Sequence, residues 1–388
     1  MNDVLIKEYF RHGYSYNEIL GLLSKQHGIM ISTRTLYRIL RKHGLYRKSN
    51  QSSFQLVIQF IAAQLTSSGS CIGYRQMRQR CVMNGFRINK NNVLTIMREL
   101  DPEGIELRKR NCLRRRKYYS CGPNWVWHID GYDKLKPYGF SIHGAIDGYN
   151  RRVMWLKLTS SNKDPQHVCE HFIGTCLEIN GIPRKVVGDR GTENVYLAAS
   201  QRFLRRNHFD TNAGEKSFQY GRSVSNQRIE SWWSMLRRSC TNWWINYFQD
   251  LISQGYYDTT DSVHIECMRF THGPILATEL TQLTVTWNSH RIRPSINHEP
   301  TIRPAGRPNV LYYIPEETVR NYKYDIDLND IEVIRQLCCN NVTNNLLCSN
   351  EFFELATILM QENNFIMPKN HTDAFVLYQE LLRLVALD

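Results

Sequence analysis

The hydrophobic pattern at the start of the chain predicts three short helices. Gly13 ends the first helix, and Ser15 with Glu18 forms a capping box that begins the second. Ser32 caps the third helix, which is predicted to run from Thr33 to His43. Short helices joined by glycine-containing turns are typical of a compact all-α module.

The third predicted helix has one apolar face and one basic face. Leu36, Ile39 and Leu40 recur at helical spacing and are predicted to face inward. The opposite face carries three arginines, which are Arg34, Arg38 and Arg41. This division is typical of a helix-turn-helix whose third helix contacts a DNA groove, although a three-helix unit with a basic surface and no DNA role has the same pattern. We predict a helix-turn-helix module over residues 1–48.

A second helical module is predicted over residues 51–107, which include a Ser/Gly-rich break at residues 67–70. One helix ends near Gly85, and Asn89 caps a last helix that continues through Leu100. The apolar positions predicted to face inward are Val93, Ile96, Met97 and Leu100. We interpret this stretch as a second helix-turn-helix.

Beyond residue 120 the pattern changes from helical spacing to β-strands. Three consecutive strands are predicted at Val126–Lys134, Phe140–Ile146 and Arg152–Leu158. A helix follows from Pro165 to Gly181, and then a short strand at Lys185–Gly188. A later helix carries apolar residues on one face, which we interpret as core: Ile229, Trp232, Trp233 and Leu236. This is the order of elements in an RNase H-like α/β domain, which we predict over residues 121–310 as a five-stranded mixed sheet with flanking helices.

Charge is unevenly distributed along the chain, whose net charge is +13. Residues 1–120 hold 22 Lys and Arg against 7 Asp and Glu, and residues 316–388 hold 5 against 12. A basic block of this size is expected of a protein that neutralises nucleic-acid phosphates, with a solvated basic surface as the alternative. The acidic region 311–388 is predicted to be a helical tail that docks on the core, mediates self-association or binds a partner.

Residues 108–120 are predicted to form a basic linker. Seven basic residues fall within ten positions, and these are Arg108, Lys109, Arg110, Arg114, Arg115, Arg116 and Lys117. We interpret the segment as a grip on the DNA backbone, a nuclear import signal, or both.

Membrane and secreted classes do not fit this composition. No stretch approaches the roughly 18 apolar residues that a membrane span requires, and the N-terminus lacks the apolar core of a secretory signal. The eleven cysteines are irregularly spaced without any Cys-x-x-Cys, which indicates reduced thiols. We expect an intracellular protein.

The first predicted strand contains an unexpected charge, because Asp130 lies within the apolar run "VWHIDGY". A buried carboxylate is costly unless something positive meets it. An arginine, a lysine, a set of backbone donors or a metal ion can each fill that role.

Three motifs in this region resemble the integrase core of retroviral integrases and Asp-Asp-Glu insertion-sequence transposases. "WHID" places Asp130 on the first strand, and "VVGDRGTEN" places Asp189 at the end of the fourth. "SNQRIESWW" places Glu230 on a helix, four residues after Asn226, as in the family's Asn-x-x-x-Glu pattern. The resemblance covers roughly residues 70 to 310.

The resemblance implies that Asp130, Asp189 and Glu230 are catalytic residues that bind two Mg²⁺ or Mn²⁺ ions. Hard divalent cations prefer oxygen ligands. Two ions about 4 Å apart can activate a water or hydroxyl and stabilise the leaving oxygen of a phosphodiester. Taken singly, each of these acids is better explained as a surface or salt-bridged residue, and it is the three matches in order that favour catalysis.

Other residues of the region are secondary candidates. Arg190 stands where the family usually has asparagine, and either binds substrate phosphate or marks a site under different demands. Asp133 and Asp147 are additional acids, and Glu193 matches a family glutamate whose role is unassigned. His128 is interpreted as a strand histidine with a local partner.

We therefore predict a DNA transposase or integrase-like polynucleotidyl transferase that cuts and joins DNA strands. One alternative is a domesticated transposase that binds DNA without catalysis, and another is a metal-dependent nuclease that never joins. The expected partners are double-stranded DNA, as transposon ends and target, and further copies of the chain on DNA; no membrane is expected. The expected location is the nucleus, or the nucleoid of a bacterial source.

Overall fold

The computed structural model describes residues 2–47, 52–102, 118–221, 226–293, 304–340 and 347–385. The basic residues of the predicted linker, Arg108 to Lys117, lie outside the described residues. Their contacts with DNA stay a prediction.

The first module consists of three helices, α1 (Asn2–Arg11), α2 (Tyr16–His27) and α3 (Thr33–Lys42). The predicted capping box at the start of α2 is present, because Ser15 and Glu18 each accept a hydrogen bond from the other's backbone N–H. Ser32 caps α3 as predicted. The three arginines on the outer face of α3 are all exposed: Arg34, Arg38 and Arg41.

The second module also has three helices, α4 (Phe54–Leu65), α5 (Tyr74–Met83) and α6 (Lys90–Leu100). Asn89 caps α6 as predicted, by accepting from the backbone N–H of Asn92. The prediction that Leu100 faces inward is wrong, since this side chain is 42% exposed. The apolar core of the module reaches along α6 only to Met97, and Leu100 lies in the last turn beyond it.

A five-stranded mixed sheet forms the centre of the fold. Its strands are β1 (Trp127–Tyr132), β2 (Ser141–Asp147), β3 (Val153–Thr159), β4 (Val186–Gly188) and β5 (Phe218–Tyr220). The spatial order is β3-β2-β1-β4-β5, with antiparallel pairing among the first three strands and parallel pairing from β1 through β4 to β5. The predicted RNase H-like α/β fold is confirmed.

Five helices flank the sheet and bury its two faces. They are α7 (Pro165–Glu178), α8 (Val195–Leu204), α9 (Gln227–Leu236), α10 (Asn242–Ser253) and α11 (Ser262–Ser289). Helices α7 and α8 share one core with Trp127 and Ile129 of β1. Helices α9, α10 and α11 share the other with Tyr132, also on β1. Residues on alternate faces of one strand therefore support two separate cores. No described helix is both long enough and apolar enough to cross a bilayer.

Four further helices complete the described chain: α12 (Pro308–Tyr313), α13 (Leu328–Cys338), α14 (Asn350–Glu362) and α15 (His371–Val385). The predicted boundary after residue 310 falls inside α12. Ile331 and Ile334 of α13 join the α7 core, and Phe352 and Tyr378 of α14 and α15 join the α11 core. The tail helices thus dock on the sheet domain within one chain.

Both N-terminal modules contact the rest of the protein. Gly21 of α2 lies against Ile314, close enough that a Cβ atom there would approach the isoleucine Cδ1 to 2.3 Å. In the second module, the Gln76 side-chain amide donates to the Ser239 hydroxyl at 3.3 Å, and Arg80 lies 3.9 Å from Glu279. Ser239 belongs to the π-helical segment Arg237–Thr241 that joins α9 to α10.

Candidate active site

Asp130 and Asp189 extend from neighbouring parallel strands. Asp130 lies on β1, and Asp189 is the first residue after β4. The register pairs Trp127 with Val186 and His128 with Val187. Asp130 comes three residues after Trp127, and Asp189 comes three residues after Val186, its partner. Parallel strands lie about 4.8 Å apart. The two carboxylates therefore leave the sheet at the same level.

Helix α9 presents Glu230 to the same edge of the sheet. Asn226 precedes the helix and donates through Nδ2 to the Ile129 carbonyl at 2.7 Å. Trp233 donates through Nε1 to Oδ2 of Asp130 at 2.9 Å. Positions four and seven residues after Asn226 share its helical face. Glu230 therefore lies between two anchors that both contact β1.

His128 makes the local contacts expected of a strand histidine. Because the Asn226 amide nitrogen is committed to Ile129, its Oδ1 faces Nδ1 of His128, at 2.7 Å, and accepts from it. Nε2 of the same ring then accepts from the Tyr118 hydroxyl at 2.6 Å. Burial lowers the pKa of His128 to about 4, so the ring is neutral at physiological pH. It holds Asn226, and through it the start of α9, in place.

Asp189 is oriented by the loop that follows it. Its Oδ1 accepts from Nδ2 of Asn194 at 2.8 Å and from the backbone N–H of Gly191 at 3.3 Å. Glu193 folds back over Gly191, where a Cβ atom would meet its carboxylate. A side chain at position 191 would therefore displace the Glu193 carboxylate from its place beside the aspartate.

The environment of Asp130 disfavours its charged form. Burial raises the pKa of Asp130 to about 6, and the nearby carboxylates of Asp189 and Glu230 add to the rise. The hydrogen bonds from Trp233 and from the Gly131 backbone oppose it. The carboxylates of Asp189 and Glu230 are thus close enough to Asp130 to disfavour its ionisation, and a shared catalytic role for the three acids stays a prediction.

The acidic edge extends to two of the secondary candidates. Burial raises the pKa of Glu193, and Asp189 and Asp133 raise it further. Asp133 is exposed and accepts from the Asn162 side-chain amide at 3.1 Å. Arg190 is exposed beside Asp189. Within the described ranges, neither Asp130 nor Asp189 forms an ion pair with a basic side chain.

Asp147 lies at the opposite end of the sheet. It pairs with Trp127, whereas Asp130 pairs with Gly144. Its carboxylate accepts from the backbone N–H groups of Asn124, Tyr149 and Asn150 at 2.7–3.1 Å. The structure therefore does not bring this secondary candidate to the edge that carries the other acids.

The donor atoms at the Asp130 edge suit a hard divalent cation, because they are all carboxylate oxygens. Across the part of the chain that the structure describes, no group of three or more His, Cys, Asp or Glu side chains is arranged to hold a metal ion. Mg²⁺ commonly binds through one or two carboxylates and completes its coordination with water and substrate phosphates. Asp130 and Asp189 fit that mode, with Glu230 on the facing helix.

Two functional contacts were missed from the sequence. Trp233 was interpreted as core, yet its indole N–H binds Asp130 while its ring covers Gly144, where a Cβ atom would lie 2.8 Å from the ring. Asn194 was not singled out at all. The sequence signal for the Trp233 contact is its spacing: it comes three residues after Glu230, which places both side chains on the same helical face.

Comparison with protein families agrees with this geometry. The model of the integrase core domain family matches residues 117–303, which include Asp130, Asp189 and Glu230. No curated protein sequence matches the chain. The matched segment contains all five strands and the helices α7 to α11. Residues 117–303 of the chain therefore form an integrase core domain.

Proposed function

We propose that this protein is a DNA transposase or integrase-like strand transferase whose active site is formed by Asp130, Asp189 and Glu230. The observation that carries the proposal is the environment of Asp130. This carboxylate is half-buried, lies close to those of Asp189 and Glu230, and itself forms no ion pair with a basic side chain among the described residues. Such an arrangement raises the free energy of the protein alone, and a bound cation relieves it.

Asp130, Asp189 and Glu230 would hold Mg²⁺ or Mn²⁺. When bound, two such ions supply a polarised water or 3′-hydroxyl and stabilise the leaving oxygen of a phosphodiester. The chain's own residues keep the ligands in place. Trp233 fixes Oδ2 of Asp130, and Asn194 fixes Oδ1 of Asp189. Each carboxylate is thereby held in one orientation, which limits the reorganisation needed on binding.

Asn226 is proposed as a positioning residue and not as a ligand. Its side-chain oxygen accepts a hydrogen bond from the His128 ring, and its side-chain nitrogen donates one to the Ile129 carbonyl. These bonds fix the distance between β1 and the first turn of α9. Glu230, one turn later, takes its position from them.

The substrate class follows from the family and from charge. We propose that double-stranded DNA, as element ends and target, is bound by the basic N-terminal region, including Arg34, Arg38 and Arg41. Joining two ends requires two active sites, so we propose a homo-oligomer on DNA. We also propose that the protein acts in the nucleus, where the basic segment 108–117 can serve in import.

The test is a cleavage and joining assay on duplex DNA that carries the terminal repeats flanking the protein's own locus. Full-length protein with Mg²⁺ should give both nicked and joined products, and chelation should abolish both. Glu230→Gln should lose both products, whereas Glu215→Gln should retain them because Glu215 is 84% exposed and pairs only with Arg202 among the described residues.

Each contrary outcome of this assay has a defined meaning. Nicked products without joined ones would identify a metal-dependent nuclease. DNA binding with neither product would identify a domesticated DNA-binding protein. Cleavage that persists in Glu230→Gln would refute the proposed site.

A further inference from the structure

A cleft lies between the first and second modules. Five arginines line it, and these are Arg11, Arg47, Arg78, Arg87 and Arg307. No aspartate or glutamate is among its described lining residues. We call it the inter-module cleft. Its charge is therefore of one sign, which is the electrostatic character of a surface that binds a polyanion.

A second groove runs along the outer face of α3. Arg34, Arg38 and Arg41 line it, together with Tyr37, and again no acidic side chain is among the described lining residues. Both grooves share Leu45, Tyr46 and Arg47. The two surfaces therefore meet at the segment after α3. Together they form one arginine track, defined as Arg11, Arg34, Arg38, Arg41, Arg47, Arg78, Arg87 and Arg307.

The floor of the inter-module cleft is held by direct bonds. The Gln79 side chain of α5 donates to the His12 carbonyl at 3.0 Å. Arg307 donates to the Gly13 carbonyl at 2.8 Å and lies 3.5 Å from Glu18. The two modules are thus fixed to each other and to the integrase core. A ligand that spans the cleft meets a preformed surface, which reduces the entropy lost on binding.

The arginines of the cleft fall into two groups. Arg78 donates to the Ile88 carbonyl at 3.1 Å, and Arg47 lies 4.0 Å from the Phe10 ring centre while it donates to backbone carbonyls. These side chains have fixed positions. By contrast, Arg11 and Arg87 make no side-chain hydrogen bond or ion pair with other described residues. Their guanidinium groups are the ones available to a ligand.

We propose that the arginine track binds the backbone of one DNA duplex across both modules, with the inter-module cleft holding phosphates that α3 alone does not reach. A single small anion does not match this surface, because the arginines are spread over two joined open grooves and not gathered in one pocket. DNA offers phosphates at regular spacing along such a path. The inference rests on the proposed function only in taking DNA as the substrate.

The experiment measures binding of a fluorescent 30-base-pair duplex to the full-length protein, over a salt series and with chelator present. The double variant Arg11→Gln/Arg87→Gln removes the two available cleft charges. Each lost phosphate contact should lower the slope of log K against log salt by about 0.9, so the double variant should lose roughly 1.8. Lys25→Gln is the control, since Lys25 is exposed in the same module and lines neither groove.

Two results would overturn the inference. One is a double variant that keeps the wild-type slope and affinity while Arg34→Gln/Arg38→Gln/Arg41→Gln loses both, which would confine binding to α3. The other is duplex RNA that competes as well as duplex DNA. Urea unfolding should show that the variants are folded. Because no strand is cut under these conditions, a missing cleavage activity would contradict the proposed function and leave this result unaffected.

Discussion

The central sheet carries an aspartate towards each of its two ends, Asp147 buried and Asp130 half-buried, and their environments differ. Burial raises the pKa of both Asp130 and Asp147 to about 6. Asp147 accepts three backbone hydrogen bonds, from Asn124, Tyr149 and Asn150. Asp130 faces two further carboxylates, and its side-chain donor is the indole of Trp233.

The comparison shows that a raised pKa does not by itself distinguish a binding site from a structural turn. What differs is how the protein compensates the buried charge. At Asp147 three backbone N–H groups donate to the carboxylate, so its hydrogen bonds are satisfied by the protein itself. At Asp130 the neighbouring carboxylates increase the cost of ionisation, the Trp233 indole and the Gly131 backbone reduce it, and the cation that we propose would favour the charged form further.

The largest expected effect is on strand cleavage. The same substitution, aspartate to asparagine, should change the cleavage rate at Asp130 but not at Asp147. Asp130→Asn should reduce cleavage by roughly 10³-fold or more, the scale on which loss of a catalytic group acts in other enzymes. Asp147→Asn should leave the rate of the folded protein near wild type. Rates are measured at a temperature where circular dichroism shows both variants folded, with DNA affinity measured alongside. Equal losses in the two variants would contradict the distinction.

A smaller loss is expected from Trp233→Phe, which keeps the ring over Gly144 but removes the donor to Asp130. Loss of such a supporting contact commonly costs 10- to 100-fold in activity or metal affinity. Since this hydrogen bond lowers the pKa of Asp130, its removal should also move the acidic limb of the cleavage profile to higher pH. Trp232→Phe is the control, because the indole nitrogen of Trp232 has no hydrogen-bond partner among the described residues. An unchanged pH profile in Trp233→Phe would contradict the role.

The smallest expected effect is on stability, and the size of the change should differ between Asp130 and Asp147. The folded-state pKa of Asp130 lies above the unfolded value near 4, so its contribution to stability is full below pH 4 and is lost as pH rises through 6. Without metal, Asp130→Asn should therefore be more stable than wild type above pH 6, by on the order of 2–3 kcal/mol. Asp147→Asn relieves a similarly raised pKa, but its new amide opposes a backbone donor at a cost of about 1–3 kcal/mol, so its net gain should be smaller or absent.

Urea unfolding at pH 4 and pH 7 measures these differences. Mg²⁺ should stabilise the wild type at pH 7 and have little effect on Asp130→Asn, since a ligand that binds only the folded state stabilises it. Mg²⁺ that stabilised both proteins equally would indicate binding elsewhere.

The sequence was sufficient for those features that depend on local pattern. The caps at Ser15, Ser32 and Asn89 follow from short-range hydrogen bonding, and all three are present. The first three strands follow from apolar runs bounded by turn residues. The order of these elements, with three spaced acids, was enough to predict the RNase H-like fold.

Features that depend on packing between distant segments were not predictable in this way. The indole of Trp233 reaches Asp130 because Gly144 on the neighbouring strand leaves space for the ring. The end of the module core at Met97, which leaves Leu100 exposed, depends on how far α4 and α5 extend along α6. Neither relation has a signature within a single stretch of sequence.

The close contact between Gly21 and Ile314 has a consequence for how such proteins evolve and how they can be divided. The first module buries part of its apolar surface against Val310, Tyr313 and Ile314, which lie almost 300 positions away in the chain. A gene segment that encodes only the first module would leave that surface exposed to solvent and prone to association. Exchange of the first module between relatives therefore requires matched changes at α12, and truncation before α12 removes part of the module's core.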